Sequence, residues 1–351
     1  MPTDQKSPRL ARKGVHALGI TAGVVALSVS VAIPAQSLTT VTDLGTLRGG
    51  TTSGAFALND RGVVVGYSTT ADGAAHAVRW DRDRITDLGK LPGDTSSTAY
   101  AVNGVGTIAG RSVGPDKRER PVRWDRDGKL TELRSLPGST ISRGYSINEA
   151  GVIVGFSNSP GTGYHAMKWS QSGEATELPA LPGDTTSAAG MINASGTIAG
   201  FSKTPAGVSR AVVWSPTGAV TQLSERAGDS SSQASAINDG GVAVGNSFSA
   251  NGTSHAVRWS ADGRTITALS TLPGDVSNAA YGVSNDGSVI GYSTNSAGLH
   301  RAVRWSPRGE VSELRTGTAG NTEAYAINNR RAVVGFLTTA DNKTHAALWT
   351  D

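Results

Sequence analysis

Every tryptophan in this chain closes the same short phrase, and the phrase returns at a nearly constant interval. Trp80, Trp124, Trp169, Trp214, Trp259, Trp305 and Trp349 are separated by 44, 45, 45, 45, 46 and 44 residues. A period of roughly 40–50 residues marks an architecture of like units, each burying its apolar surface against its neighbours. The chain must therefore fold as seven repeats of one supersecondary unit.

Each unit holds four apolar segments of strand length separated by turn residues: T-D/E-L, A-x-A-I-N, G-V-x-V-G-x-S and H-A-x-x-W. Residues 86–110, TDLGKLPGDTSSTAYAVNGVGTIAG, and 267–291, TALSTLPGDVSNAAYGVSNDGSVIG, show the register. Ile-Asn-x-x-Gly reads as a tight hairpin, because Asn opens a turn through its side chain and Gly supplies the positive φ that closes it. Only the LPGDTSS stretch is long enough to carry the chain to a new sheet.

The fold class that follows is all-β: a seven-bladed β-propeller of four-stranded antiparallel blades. With A-x-A-I-N at the axis and T-D/E-L at the rim, the last blade lacks its outer strand. The array begins with a spare one, VTDLGTL at residues 41–47. That N-terminal strand is expected to complete the last blade and close the ring, removing free edges that invite aggregation. A linear solenoid would need polar caps, and neither end of the array differs from its middle.

Strand alternation puts His76, Val78 and Trp80 on one face, with Ala77 and Arg79 on the other. The tryptophans read as packing wedges between blades. The small faces on which they nest are assigned to Gly66, Gly110, Gly155, Gly200, Gly245, Gly291 and Gly335. The innermost strand carries Phe56, Tyr100, Tyr145, Tyr281 and Tyr325, but Gly190 and Ser235 in blades four and five, a pair expected to open a notch beside the axis.

Ahead of the repeats, Lys6, Arg9, Arg12 and Lys13 precede an apolar run from Val15 to Ala32, which reads as a secretory signal peptide over residues 1–35, cut after Ala35. Retention as a membrane anchor is the alternative. Residues 36–351 then form a single domain. Four of the 32 basic residues and one of the 28 acidic ones lie in residues 1–35, leaving a net charge near +1, too little to indicate nucleic acid or anionic membrane. There is no cysteine, so an exported domain would be held by packing and hydrogen bonds alone.

H-A-x-x-W preceded by N-x-x-G-x-x-x-G-x-S and T-x-L-x-x-L-P-G-D resembles the bacterial HAF family of probable extracellular repeats, over about residues 41–350. The third letter of the His-Ala-Phe triplet departs here, as in His76-Ala77-Val78, His165-Ala166-Met167, His255-Ala256-Val257 and His345-Ala346-Ala347. The resemblance implies an exported repeat protein and implies no activity.

Four positions before each tryptophan stand His76, Arg120, His165, Arg210, His255, Arg301 and His345. These cations share a rim with Asp94, Asp184, Asp229 and Asp275 of the crossovers, so charge-assisted hydrogen bonds bracing the loops are expected. A catalytic or metal role needs unlike residues in unlike roles, and no H-x-H or H-E-x-x-H pair exists, so neither a metal nor a cofactor is expected. Departures from the repeat are the better candidates for ligand contact. They are Asp116, Lys117 and Arg118 in PDKRER, read as one charged loop with Glu119 and Arg120; His300, read as an insertion before Arg301; Tyr281 and Tyr325; and Glu225 and Arg226 in ERAGD.

Two functions are consistent with this pattern. The first is a secreted monomeric binding module for extracellular or cell-envelope polysaccharide, with an envelope protein as the next partner and no membrane insertion after signal cleavage. The second is a polysaccharide lyase or glycosidase acting on acidic glycans, for which His165, Tyr145, Tyr100 and Arg120 would carry the chemistry.

Overall fold

The computed structural model describes residues 40–351 apart from residue 83; the signal-peptide reading falls outside them. The chain begins with β1 (Thr40–Asp43); β2 (Ser53–Leu58), β3 (Val64–Thr69), β4 (Ala75–Asp81) and β5 (Arg84–Asp87) then pair in that order as blade one. Five more blades repeat the pattern, and the chain ends in β26 (Thr322–Ile327), β27 (Val333–Thr338) and β28 (Thr344–Thr350). The protein is a seven-bladed β-propeller of four-stranded antiparallel sheets. In the seventh sheet the order is β1-β28-β27-β26, so the N-terminal strand completes the last blade, with Val41 opposite Trp349. The closing strand is shorter than residues 41–47: Leu44 and Leu47 leave it and pack around Trp80.

The topology gives the ring two unlike ends. Turns between first and second strands, and between third and fourth, lie on the hairpin end. The crossovers share the opposite end with the turns between second and third strands.

The tryptophans wedge the blades as expected. Trp124 is fully buried among Val65, Ala77 and Leu91 of blade one and Ala99, Ile108 and Val122 of its own blade. Its Nε1 donates to the Leu88 carbonyl at 2.7 Å, and Trp169, Trp214, Trp259 and Trp305 bond the preceding blade in the same way. The small surface under six of the seven wedges is the preceding blade's alanine at the second position of H-A-x-x-W, not the glycine assigned above; before Trp169 that position is Pro121. The glycine lies within its own blade, where a Cβ on Gly110 would stand 2.1 Å from the Thr98 carbonyl and 2.8 Å from the Trp124 ring.

The strand that crowds these glycines is bulged. In every blade the register between first and second strands slips by one residue, between Ala55 and Ala57 in blade one and between Ala324 and Ala326 in blade seven. The skipped residues are Phe56, Tyr100, Tyr145, Gly190, Ser235, Tyr281 and Tyr325. A bulge leaves its extra residue outside the ladder and re-aims its side chain.

At the hairpin end, Asn59, Asn103, Asn148, Asn193 and Asn238 each donate Nδ2 to the carbonyl of the corresponding residue in the next blade, and Asn328 donates to Asn59. The Oδ1 of the same Asn59 accepts from Val63 across its own turn. One residue type thus shapes the hairpin and ties it to its neighbour.

Candidate ligand site at the crossover mouth

The bulged side chains make an arc around the axis. Ring centroids run Tyr281–Tyr325 at 5.5 Å, Tyr325–Phe56 at 5.5 Å, Phe56–Tyr100 at 5.6 Å and Tyr100–Tyr145 at 5.2 Å. Between Tyr145 and Tyr281 stand Gly190 and Ser235, which carry no ring. A Cβ on Gly190 would come within 3.1 Å of the Ser235 carbonyl, so the two blades close up tightly at the interruption. Below the arc, a cavity of about 180 Å³ continues along the axis past Met191, Ile192 and Val283.

Two chains of polar contacts run from the crossover mouth to this arc. In the first, Glu119 of blade two accepts from Arg143 of blade three (Nη2 to Oε1, 2.8 Å, with Nε on Oε2) and pairs with Arg111 at 2.7 Å. Arg143 Nη1 then donates to the Tyr145 hydroxyl at 3.0 Å. In the second, His300 Nδ1 of blade six meets Glu323 Oε1 of blade seven at 2.6 Å, and the Tyr325 hydroxyl donates to Glu323 Oε2 at 2.8 Å. Glu119 and His300 occupy one position of the repeat, Arg143 and Glu323 a second, and Tyr145 and Tyr325 a third. The same scaffold holds opposite charges on opposite sides of the mouth.

Burial pushes the Tyr100 hydroxyl up to about 12, against the pull of Arg111 and Arg143. Burial likewise raises Tyr281 and Tyr325, and at Tyr325 the Glu323 charge adds to it. For Glu119, burial opposes the charged form, but hydrogen bonds from Arg143 and Arg111 outweigh it and hold the carboxyl below its usual value. These three tyrosines are neutral hydrogen-bond donors at neutral pH, and Glu119 is a carboxylate.

The residues singled out in the sequence separate into different neighbourhoods. Tyr100 and Tyr145 touch each other, and Tyr281, Tyr325 and His300 fall in the second chain of contacts. His165 turns outward, its Nδ1 2.6 Å from Glu177 of its own outer strand and its Nε2 2.8 Å from Thr162. Arg120 pairs with Asp94 and reaches Glu132. The set His165, Tyr145, Tyr100 and Arg120 is not gathered into one place.

PDKRER also divides. Asp116, Lys117 and Arg118 form an exposed turn whose Arg118 Nε donates to the Ser139 carbonyl, while Glu119 begins a strand that turns it inward and Arg120 outward. His300 is no insertion: it stands opposite Thr294 in regular register, stacked on Tyr292 at 4.2 Å. The extra residue of that interval lies in the turn from Ser260 to Thr265.

On the outer part of this end, cations brace the crossovers in two ways. Where the incoming crossover carries aspartate, the cation bonds it: Arg120 to Asp94, Arg210 to Asp184, Arg301 to Asp275 and His255 to Asp229. Arg226 joins Asp229 at 3.0 Å, supplying the guanidinium that His255 lacks. Where the crossover has no aspartate, His76, His165 and His345 take the outer-strand acids Asp87, Glu177 and Asp43 instead. Every one of these Arg and His side chains is paired with a carboxylate of its own blade or its crossover.

At the hairpin end a funnel of about 460 Å³ is walled by the asparagine circle and by Asp60, Glu149, Asp239, Asn285 and Asn329. Most of its side chains are committed between blades, as in Asn329 Nδ2 on Asp60 Oδ2 at 3.0 Å and Gly104 N on Glu149 Oε1 at 2.6 Å. Among the described residues, no group of three or more His, Asp or Glu side chains converges as metal ligands would.

Arg111, Arg143, Tyr292 and Glu323 were not legible as site residues from the sequence alone, and Glu119 was read only as part of the exposed charged loop. For Arg111 the signal was present in its column, where other blades have Tyr67, Phe156, Phe201, Asn246, Tyr292 and Phe336.

A seven-bladed β-propeller with an aromatic arc and two polar chains at one mouth is the class that this geometry defines. No family model matches the chain, and no curated protein matches it. Among solved structures it is similar to selenomethionine-substituted virginiamycin B lyase from Staphylococcus aureus (TM-score 0.58, 14% identity, 89% of this chain and 99% of that one). It is also similar to an oligogalacturonate lyase in complex with manganese (TM-score 0.62, 13% identity, 88% of this chain and 92% of that one). A third is the β-propeller domain of the trilobed protease from Pyrococcus furiosus, described as having an open velcro topology (TM-score 0.56, 12% identity, 86% and 93%). At such identities the likeness is one of fold, and unlike an open ring this one carries a terminal strand that completes its last blade.

Proposed function

We propose that the protein is a secreted propeller of the HAF type that binds polysaccharide at the crossover mouth. The observation that carries this reading is the five-ring arc with its interruption at Gly190 and Ser235. Partly exposed aromatic rings offer flat apolar faces to the C–H faces of sugars, and the flanking Arg143, Glu323 and tyrosine hydroxyls offer hydrogen bonds to their polar edges. The rigid, interlocked blades hold these groups in place before a ligand arrives, which lowers the cost of binding. An envelope protein presenting such a chain is the next partner.

A second reading is favoured by one contact, the Arg143 guanidinium on the Tyr145 hydroxyl, which suits a lyase acting on acidic glycans. The raised values of Tyr100, Tyr281 and Tyr325 favour binding over proton abstraction by those residues. One experiment tests both: incubate the protein with a panel of neutral and acidic polysaccharides, following retention by affinity electrophoresis and unsaturated-uronate absorbance. Retention without product supports the binding module; product that Tyr145→Phe abolishes supports the lyase; the absence of both retention and product overturns both readings.

A further inference from the structure

Blades two and three hold an excess of positive charge at the mouth. Arg111 and Arg143 converge on a single carboxylate, Glu119, and all three side chains are only partly exposed, at 24%, 27% and 14%. Two guanidiniums around one carboxylate leave one positive charge unbalanced, and a half-buried charge is stabilised by a partner of opposite sign. The charged groups beside it on the rim do not supply that partner. Asp116 accepts its own turn's Arg118 N–H, Arg118 holds the Ser139 carbonyl, and Asp94 and Glu132 are taken by Arg120.

Aromatic surface surrounds the excess charge. The Arg111 guanidinium lies 5.8 Å over the Tyr100 ring and that of Arg143 lies 5.7 Å over Phe156. Phe156 in turn meets Tyr164 edge-on at 4.7 Å. Tyr164 is 41% exposed, against 7% for Phe156, and so presents a free ring face at the lip of the mouth. No other blade carries a guanidinium at either position: the counterparts of Arg111 are Tyr67, Phe156, Phe201, Asn246, Tyr292 and Phe336, and those of Arg143 are Gly54, Thr98, Ala188, Gln233, Ala279 and Glu323.

We infer that Arg111 and Arg143 form a subsite for the carboxylate of a uronic acid residue, with Tyr164 as the platform for the adjoining sugar. The inference rests on the polysaccharide reading and narrows it to acidic chains. A carboxylate matches the planar donor fork of a guanidinium in geometry as well as charge, and it restores balance to the pair. On the opposite side of the mouth Glu323 presents negative charge, so an acidic chain is oriented with its carboxylate toward blades two and three.

The test is isothermal titration calorimetry of the full-length protein with oligogalacturonate, its methyl ester and a neutral β-glucan oligomer. Oligogalacturonate is expected to bind about tenfold or more tighter than its ester, the ratio given by one charge-assisted pair. Arg111→Gln should abolish that ratio while leaving binding of the ester in place, and Tyr164→Ala should weaken both ligands alike. Thermal melts of each variant establish that it is folded. Equal affinity for acid and ester, or a ratio untouched in folded Arg111→Gln, overturns the carboxylate subsite and leaves the polysaccharide reading standing. Binding of none of the three overturns both.

Discussion

The side-chain amide of Asn328 donates to the main-chain carbonyl of Asn59 at 3.0 Å, joining the last blade to the first across 269 positions of the chain. Within the last blade itself, Asp43 of the N-terminal strand meets His345 of the final strand at 2.8 Å. The ring is therefore closed twice, once near the axis and once at the rim.

Removing residues 36–47 tests the outer closure. It strips β1 from β28 and takes Leu44 and Leu47 from the cluster around Trp80. The exposed edge should pair with another chain or let blade seven fray. Size-exclusion chromatography and a thermal melt should show oligomers or a markedly lower midpoint. A monomer melting like the parent would contradict the role given to the strand.

The tryptophans offer an internal comparison. Trp214→Ala should destabilise by about 3–5 kcal/mol, the range for losing a fully buried large aromatic. Trp214→Phe also orphans the Pro179 carbonyl, whereas Trp80 and Trp349 have no acceptor for their indole N–H among the described residues. Trp214→Phe should thus cost about 1 kcal/mol more than Trp80→Phe in chemical denaturation.

The two kinds of crossover brace should differ in strength. The Asp184 carboxylate is 1% exposed and also accepts the Ser202 hydroxyl, while Glu177 beside His165 is 49% exposed. Asp184→Asn should cost about 2 kcal/mol, less than for a fully buried pair because the Arg210 side chain remains about a quarter exposed. Glu177→Gln should cost at most about 0.5 kcal/mol. Equal effects in urea titrations would show that burial does not separate the two classes.

Blade number, strand order and ring closure were legible because they depend only on period and phase, which seven copies of one motif state redundantly. The bulge was not. A-x-A-I-N reads as plain alternation, but the one-residue slip beside Ala55 sends Phe56 out of the ladder, and a slip in register reverses which way the residues beyond it face. The same slip explains why the glycines were assigned to the wrong neighbour: their partner is the bulged backbone of their own blade. The two polar chains stayed hidden because Glu119 and Arg143 are 24 residues apart, on different blades, and meet only once the blades are stacked. The crossover pairs were half legible, since aspartate and arginine occur together in the same interval at Asp94/Arg120, Asp184/Arg210 and Asp275/Arg301.

Glu119 should make stability fall in acid. Its folded pKa lies below its ordinary value of 4.5, so the unfolded chain takes up the proton more readily. The contribution is complete above that value and is lost as pH falls through the folded pKa. Glu119→Gln should lower stability at neutral pH and flatten its dependence on pH below about 4.5. Parallel curves for variant and parent, from denaturation across pH 3–7, would mean that Glu119 is not held as described.

Ser235→Tyr tests the interruption in the aromatic arc directly. Five blades already carry Phe or Tyr at this bulge, so the backbone there accepts a ring, and Ser235 is itself only partly buried. The substitution should leave the melting midpoint within a few degrees of the parent, the scale of about 1 kcal/mol or less in a domain of this size. If the gap admits part of a saccharide, the added ring should fill it and reduce retention on polysaccharide severalfold. The complementary change, Tyr145→Ala, widens the gap and removes a stacking surface together with the hydroxyl that Arg143 holds. A ligand seated in the gap is weakened by the first change through exclusion and by the second through lost contact. A ligand stacked on the rings away from the gap is weakened only by the second.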